Sequence, residues 1–294
     1  MNPGNRYLVA GALVLVQVFF GLHYLAAKIV MQQIPPRAWA LLRVSGALAV
    51  MLVVLAIRRQ RLPAVADWGR FAVFALFGVV INQFCFVQGL SRTSATHSSL
   101  INATIPVVTF AIAVLAGRER ARLAKLAALF VAFAGAALVI RPDEFAPDAV
   151  TMFAGDLFTA VNAVSFSLFL VISKRTFERV DPLAATTLLL LFGSLGMSLL
   201  GGPELIELEP ARVSAATWAL GAGIVLFPTV GAYAINTWAL ARVESSLVAF
   251  FIFLQPLIAT SLSMAFLGDR PGIRVAWGAT LVILGSALVI RTRS

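Results

Sequence analysis

Apolar runs of about twenty residues, separated by short polar or proline-rich connections, recur from one end of the chain to the other. A helix needs roughly 20 apolar residues to cross the hydrocarbon core of a bilayer. The runs 8–27, 38–57, 71–90, 96–116, 123–140, 152–173, 183–200, 214–238, 246–267 and 274–290 meet that length within a few residues. The connections are segments such as Arg58-Arg59-Gln60-Arg61-Leu62-Pro63 and Gly117-Arg118-Glu119-Arg120, and none is long enough to separate soluble domains. Strands of a membrane barrel would alternate over segments of about ten residues, whereas these runs are continuous. The pattern predicts an all-α integral membrane fold of ten transmembrane helices.

Composition supports that reading. Hydrophobic residues make up 60% of the 294, charged residues 12%, and mean hydropathy is +0.94. A soluble domain carries about 25% charged residues to cover its surface, so most of this surface faces something other than water. A single cysteine (Cys85) excludes a disulfide framework, and one cysteine with two histidines cannot build a structural zinc site. No metal or cofactor is expected.

The net charge of +10 would suggest nucleic acid in a soluble protein. In a membrane protein it points to cytoplasmic loops, which collect Lys and Arg. With the N-terminus inside, the cytoplasmic face gathers 15 of the 23 basic residues, while acidic residues such as Asp143, Glu144, Glu204 and Glu207 lean outward. Both termini are therefore expected in the cytoplasm, the first apolar run is read as a retained helix, and the location is the cell inner (plasma) membrane. The expected partners are the lipid bilayer and a small-molecule substrate, with no nucleic acid, and the chain is expected to be a monomer.

The sequence repeats itself. Residues 137–141 read Ala-Leu-Val-Ile-Arg, and residues 287–291 read the same. That offset of 150 also pairs Gly135 with Gly285, Pro106 with Pro256 and Arg92 with Arg242, while an offset of 146 pairs Lys28 with Lys174 and Pro36 with Pro182. The halves divide as 1–145 and 146–294. Five helices per half is an odd number, so the second copy must enter the membrane upside down. The charges agree, because the basic loop 58–70 corresponds to the acidic loop 201–212. Two inverted five-helix repeats place a binding site at the midplane and make two mirror-related conformations close in energy, the architecture of alternating access.

Phe20-Gly21-Leu22-His23-Tyr24 leading to Lys28, followed by Pro36 and Leu42-Arg43, resembles the first two helices of EamA-type transporters of the drug/metabolite superfamily. The segment from Gly89 through His97-Ser98-Ser99 to Pro106, Gly117, Glu119 and Gly135 is similar to that family's third to fifth helices. Gly155-Asp156-Leu157 and Leu267-Gly268-Asp269 resemble its second copy. The likeness covers essentially the whole chain, with Phe20 where Trp is common and Asp269 where Glu is usual. It implies a ten-helix carrier, commonly an exporter of amino acids or other small metabolites, and names no ligand.

No Asp or Glu sits deep in any apolar run, which predicts an uncharged central cavity shaped by amides, hydroxyls and aromatic rings. The cavity candidates fall on single helix faces: Gln17 and Tyr24 on the first helix, Asn82 and Phe86 on the third, Ser98 and Asn102 on the fourth, Asn162 and Phe166 on the sixth, Tyr233, Asn236, Thr237 and Trp238 on the eighth, and Phe253 on the ninth. For each, helix–helix gluing is the competing role. Pro106, Pro256 and Pro228 are hinge or kink candidates, because each lacks an N–H and crowds the carbonyl four residues before it. His23 is the candidate for proton coupling. Lys28 and Arg43 read as snorkelling side chains near outer helix ends. Trp39, Trp68, Trp218 and Trp277 read as an interfacial belt.

Intramembrane hydrolysis needs paired aspartates, a Ser/His couple or a metal-binding HExxH, and none of these is present. The expectation is a secondary transporter that exports small metabolites, neutral or aromatic amino acids first, and not an enzyme. A proton-coupled efflux carrier for other small or lipophilic compounds is the alternative.

Overall fold

The computed structural model describes residues 3–93, 95–139, 149–255, 257–258 and 273–291. Among them every regular element is helical. The first two helices, α1 (Pro3–Val30) and α2 (Pro36–Ile57), are continuous. Pro36 opens α2 at a position where a missing N–H leaves no helical bond unmade. The third span is composite: α3 (Trp68–Ala75), a π-helical stretch over Leu76–Ile81, and α4 (Asn82–Arg92). The next is α5 (Ala95–Asn102), a turn at Ala103-Thr104, and α6 (Ile105–Leu115). Then come α7 (Leu123–Val139), α8 (Ala149–Phe177) and α9 (Pro182–Ile206), the last capped by the Asp181 carboxylate on the backbone N–H groups of Leu183 and Ala184. A second composite span joins α10 (Ala215–Ile224), a π stretch over Val225–Gly231 and α11 (Ala232–Leu240). Helix α12 (Ser245–Phe250) runs into a 3-10 turn at Phe251–Phe253, and α13 (Ile273–Arg291) is the last helix described.

Six of these spans are long and apolar enough to cross a membrane: Tyr7–Val30, Pro36–Ile57, Val65–Leu90, Phe153–Phe177, Pro182–Ile206 and Ala215–Leu240. Ile105–Leu115 and Leu123–Gly135 are apolar but shorter. The fourth span, read from the sequence as one run over 96–116, is broken. Pro106 sits in the first turn of α6, so it restarts a helix instead of kinking one. Pro256 lies outside the described residues.

Helix pairs approach closely where glycine removes a side chain. Helix α7 packs along α13. A Cβ on Gly135 would lie 2.7 Å from the Gly278 carbonyl oxygen, and one on Gly285 would lie 2.7 Å from the Ala132 Cβ. These are the two glycines paired by the 150-residue offset. Helix α9 receives Val79 and Val80 of the first π stretch against Gly193 and Gly196 in the same way.

Away from the middle of the protein, a buried ionic cluster ties the 117–122 turn to the start of α12. Lys125 Nζ donates to Glu119 Oε2 at 2.8 Å and also to a Glu244 carboxylate oxygen. The Ser246 backbone N–H closes on Glu119 Oε1 at 3.1 Å. Only 9% of the Lys125 side chain and 4% of that of Glu119 are exposed.

Candidate functional site

A cavity is lined by side chains from α1, α2, α4, α5, α6, α8, α11 and α12 together with Ile252 and Gln255. Its apolar wall is aromatic. Phe86 stacks on His23 with ring centroids 5.2 Å apart and meets Tyr24 edge-on at 5.6 Å, while Phe166 and Phe169 lie 5.8 Å from each other. Its polar wall is two hydrogen-bonded chains.

In the first chain Asn102 Nδ2 donates to the Tyr24 hydroxyl at 2.7 Å. Tyr24 donates to Gln255 Oε1 at 3.3 Å, and Gln255 Nε2 donates to Gln17 Oε1 at 2.8 Å. The chain links α1, α5 and the segment after α12. One acceptor is left over, since the Asn102 Oδ1 atom is buried without a hydrogen-bond donor.

The second chain centres on Arg43, which is 2% exposed. Its Nη1 donates to His23 Nε2 at 2.6 Å, and its Nη2 donates to Gln83 Oε1. A guanidinium can only donate. The His23 Nε2 atom is therefore the acceptor, and the imidazole is neutral in this contact. Gln83 Nε2 continues to the Tyr233 hydroxyl at 2.8 Å and to Asn82 Oδ1 at 2.9 Å. The Arg43 Nε–H has no acceptor. Among the described residues that line the cavity there is no Asp or Glu.

The π stretches explain why several polar side chains are needed here. A π-helical turn shifts the backbone bonds by one residue and leaves carbonyls to find other donors. At the first stretch the donors come from neighbouring helices: Ser165 Oγ to the Phe77 carbonyl at 2.7 Å, the Tyr233 hydroxyl to that of Gly78 at 2.9 Å, and Asn162 Nδ2 to that of Asn82 at 2.8 Å. At the second stretch the carbonyl of Ile224, the one that Pro228 is expected to free, accepts from Thr229 Oγ1 at 2.8 Å.

Of the sequence-derived candidates, Gln17, Tyr24, Asn82, Phe86, Asn102, Asn162, Phe166, Tyr233, Asn236 and Thr237 line this cavity, as does His23. Ser98, Trp238 and Phe253 do not. Ser98 is fully buried and off the cavity wall. Phe253 packs in a separate apolar cluster with Phe110 and Phe250, because the 3-10 turn at 251–253 rotates its side chain off the α-helical register. Trp238 lies beneath the Arg242 guanidinium, 4.5 Å from its ring centroid, near the end of α11.

Three readings of the sequence are corrected. Arg43 does not snorkel: it is the eighth residue of α2, about 10 Å along the axis at 1.5 Å per residue, too deep for its side chain to return to the helix start. The cavity is consequently not uncharged. Trp39 belongs to no interfacial belt; it is 2% exposed and faces Gly221, where a Cβ would stand 3.1 Å from its ring. Gln83 and Gln255 also line the cavity without being sequence candidates, although a glutamine inside an apolar run is as strong a polar signal as an asparagine; Phe169 lines it from the same face of α8 as Asn162 and Phe166.

A polar and aromatic cavity surrounded by membrane-length helices is the kind of feature a multi-pass membrane transporter requires. Sequence comparison agrees. The model of the EamA-like transporter family matches residues 8–141 and again 153–291, and the chain belongs to that family. It is similar to an uncharacterized transporter, YyaM, of Bacillus subtilis, with 24% identity over 273 residues covering 91% of this chain and 88% of that one. A WAT1-related protein of Arabidopsis thaliana is 25% identical over 249 residues, covering 74% of this chain and 65% of that protein. A solved crystal structure shares the fold with a TM-score of 0.74 at 22% identity, covering 97% of this chain and 96% of the other.

Proposed function

We propose that this protein is a secondary transporter that exports small metabolites, amino acids first, by alternating access around the cavity between its two halves. The observation that carries the reading is the cavity itself, to which helices from both matched stretches contribute. Inverted five-helix halves would make its inward-open and outward-open forms close in energy. The two π stretches, at Leu76–Ile81 and Val225–Gly231, supply deformable backbone next to the cavity at corresponding places in the two halves. An amino acid is favoured because the wall offers a cation, Arg43, and an unpartnered acceptor, Asn102 Oδ1, to one small ligand.

Proton coupling through His23 is the less favoured form of the cycle. Its Nε2 lone pair is taken by Arg43, and a second positive charge beside the guanidinium would be repelled. Export down the metabolite gradient needs no titrating group. In reconstituted liposomes, flux of an amino-acid panel is expected to saturate and to be stimulated by substrate on the opposite side. Ohmic conductance would sink the carrier reading, and flux driven by an imposed pH gradient would restore the proton-coupled alternative.

A further inference from the structure

We infer that Arg43 is the anchor for a carboxylate on the transported molecule, so that the cargo is a small carboxylic acid with an apolar or aromatic body. This rests on the reading of the cavity as the transport site. A charged guanidinium buried in a membrane-spanning protein is costly unless it is paired. Every acceptor it has here is neutral: an imidazole nitrogen and a glutamine oxygen. Its Nε–H has none. Among the described residues no carboxylate lines the cavity to neutralise it. The missing half of the ion pair is therefore brought by the ligand.

Carboxylate and guanidinium match as a two-point fork, with charge-assisted bonds roughly twice as strong as neutral ones. An entering carboxylate takes the place of Gln83 Oε1 or His23 Nε2 on the guanidinium, exchanging a charge–dipole contact for a charge–charge one. Gln83 is also the donor to Tyr233, so release from Arg43 leaves it anchored through its Nε2. The aromatic rings of Phe86, Phe166 and Phe169 then receive the rest of the molecule. A cavity whose described lining holds a cation and no anion suits one carboxylate and not a polycation.

The test uses two probe pairs that differ only at the acid: phenylalanine against phenylalaninamide, and 3-phenylpropionate against 3-phenylpropionamide. Flux is measured in proteoliposomes with the full-length protein and with Arg43→Gln, Arg43→Lys and Phe166→Ala. The unsubstituted protein is expected to prefer each acid over its amide by at least about tenfold, the scale of one charged hydrogen-bonded contact. Arg43→Gln should collapse that ratio towards unity, and Arg43→Lys should keep part of it. A ratio unchanged in Arg43→Gln, no preference for the acids in the unsubstituted protein, or no flux of either acid would each overturn the inference. Equal loss of acid and amide flux in folded Arg43→Gln also overturns it, since that is what a purely structural role produces. The underlying cavity reading fails separately, if saturable flux of every probe is indifferent to Phe166→Ala.

Discussion

Among the described residues two cations lie buried, Lys125 and Arg43, and they are accommodated in opposite ways. Lys125 is 7% exposed and sits between the carboxylates of Glu119 and Glu244, one of which is held in turn by the Ser246 backbone. Arg43 is 2% exposed and, among the described residues, donates to an imidazole and an amide at the wall of a cavity. Burial desolvates both, yet among the described residues only the first meets carboxylates. A closed ionic cluster between a turn and a helix start holds the two together. A desolvated cation with an unused N–H, facing a space that a ligand can enter, is arranged for something not part of the chain. Burial alone would not have separated the two roles; the identity of the partners does.

The contrast can be broken most forcefully at Lys125. Lys125→Met leaves two carboxylates without their cation, and removal of one partner from a buried pair costs about 3–5 kcal/mol. Denaturant unfolding in detergent should show a loss of that size, and the double variant Lys125→Met/Glu119→Gln should recover part of it. Glu119→Gln alone removes a charge but retains Glu244 on the lysine, so a smaller loss of about 1.5–3 kcal/mol is expected by the same measurement. At Arg43 the expectation is different in kind: Arg43→Gln should stay within about 1 kcal/mol of the parent in the absence of ligand, because it deletes a desolvated charge along with its bonds to His23 and Gln83. A loss as large as that of Lys125→Met would erase the distinction between the cations. The exposed pair Arg70–Asp67, with side chains 68% and 35% exposed, sets the baseline. Arg70→Ala should change stability by no more than about 0.5 kcal/mol, within the scatter of repeated melts.

Parts of this arrangement were legible in the residue order. Gly135 and Gly285, matched by their offset, turn up against each other's helices where a side chain would collide. Pro228 announced a freed carbonyl at Ile224, and Thr229 is found bonded to it. The stretch Leu76–Ile81 contains no proline and gave no warning of its π geometry, which depends on donors from Asn162, Ser165 and Tyr233. In the sequence, Asn162 and Tyr233 read as cavity groups or helix glue. Asn162 and Tyr233 are both, lining the cavity while their polar ends hold the backbone of the third span.

By itself the sequence determined the membrane-spanning class, the helical content, most of the cavity's side chains and the family, because hydropathy and the matching of two halves are properties of order along the chain. Tertiary structure alone decided which of the buried polar groups find partners. Arg43 and Lys125 are both basic residues near helix ends on the page, and which one meets a carboxylate depends on residues up to 119 positions away. Electrostatic and hydrogen-bond compensation act over a few ångströms in space, and only the packed helices fix those distances.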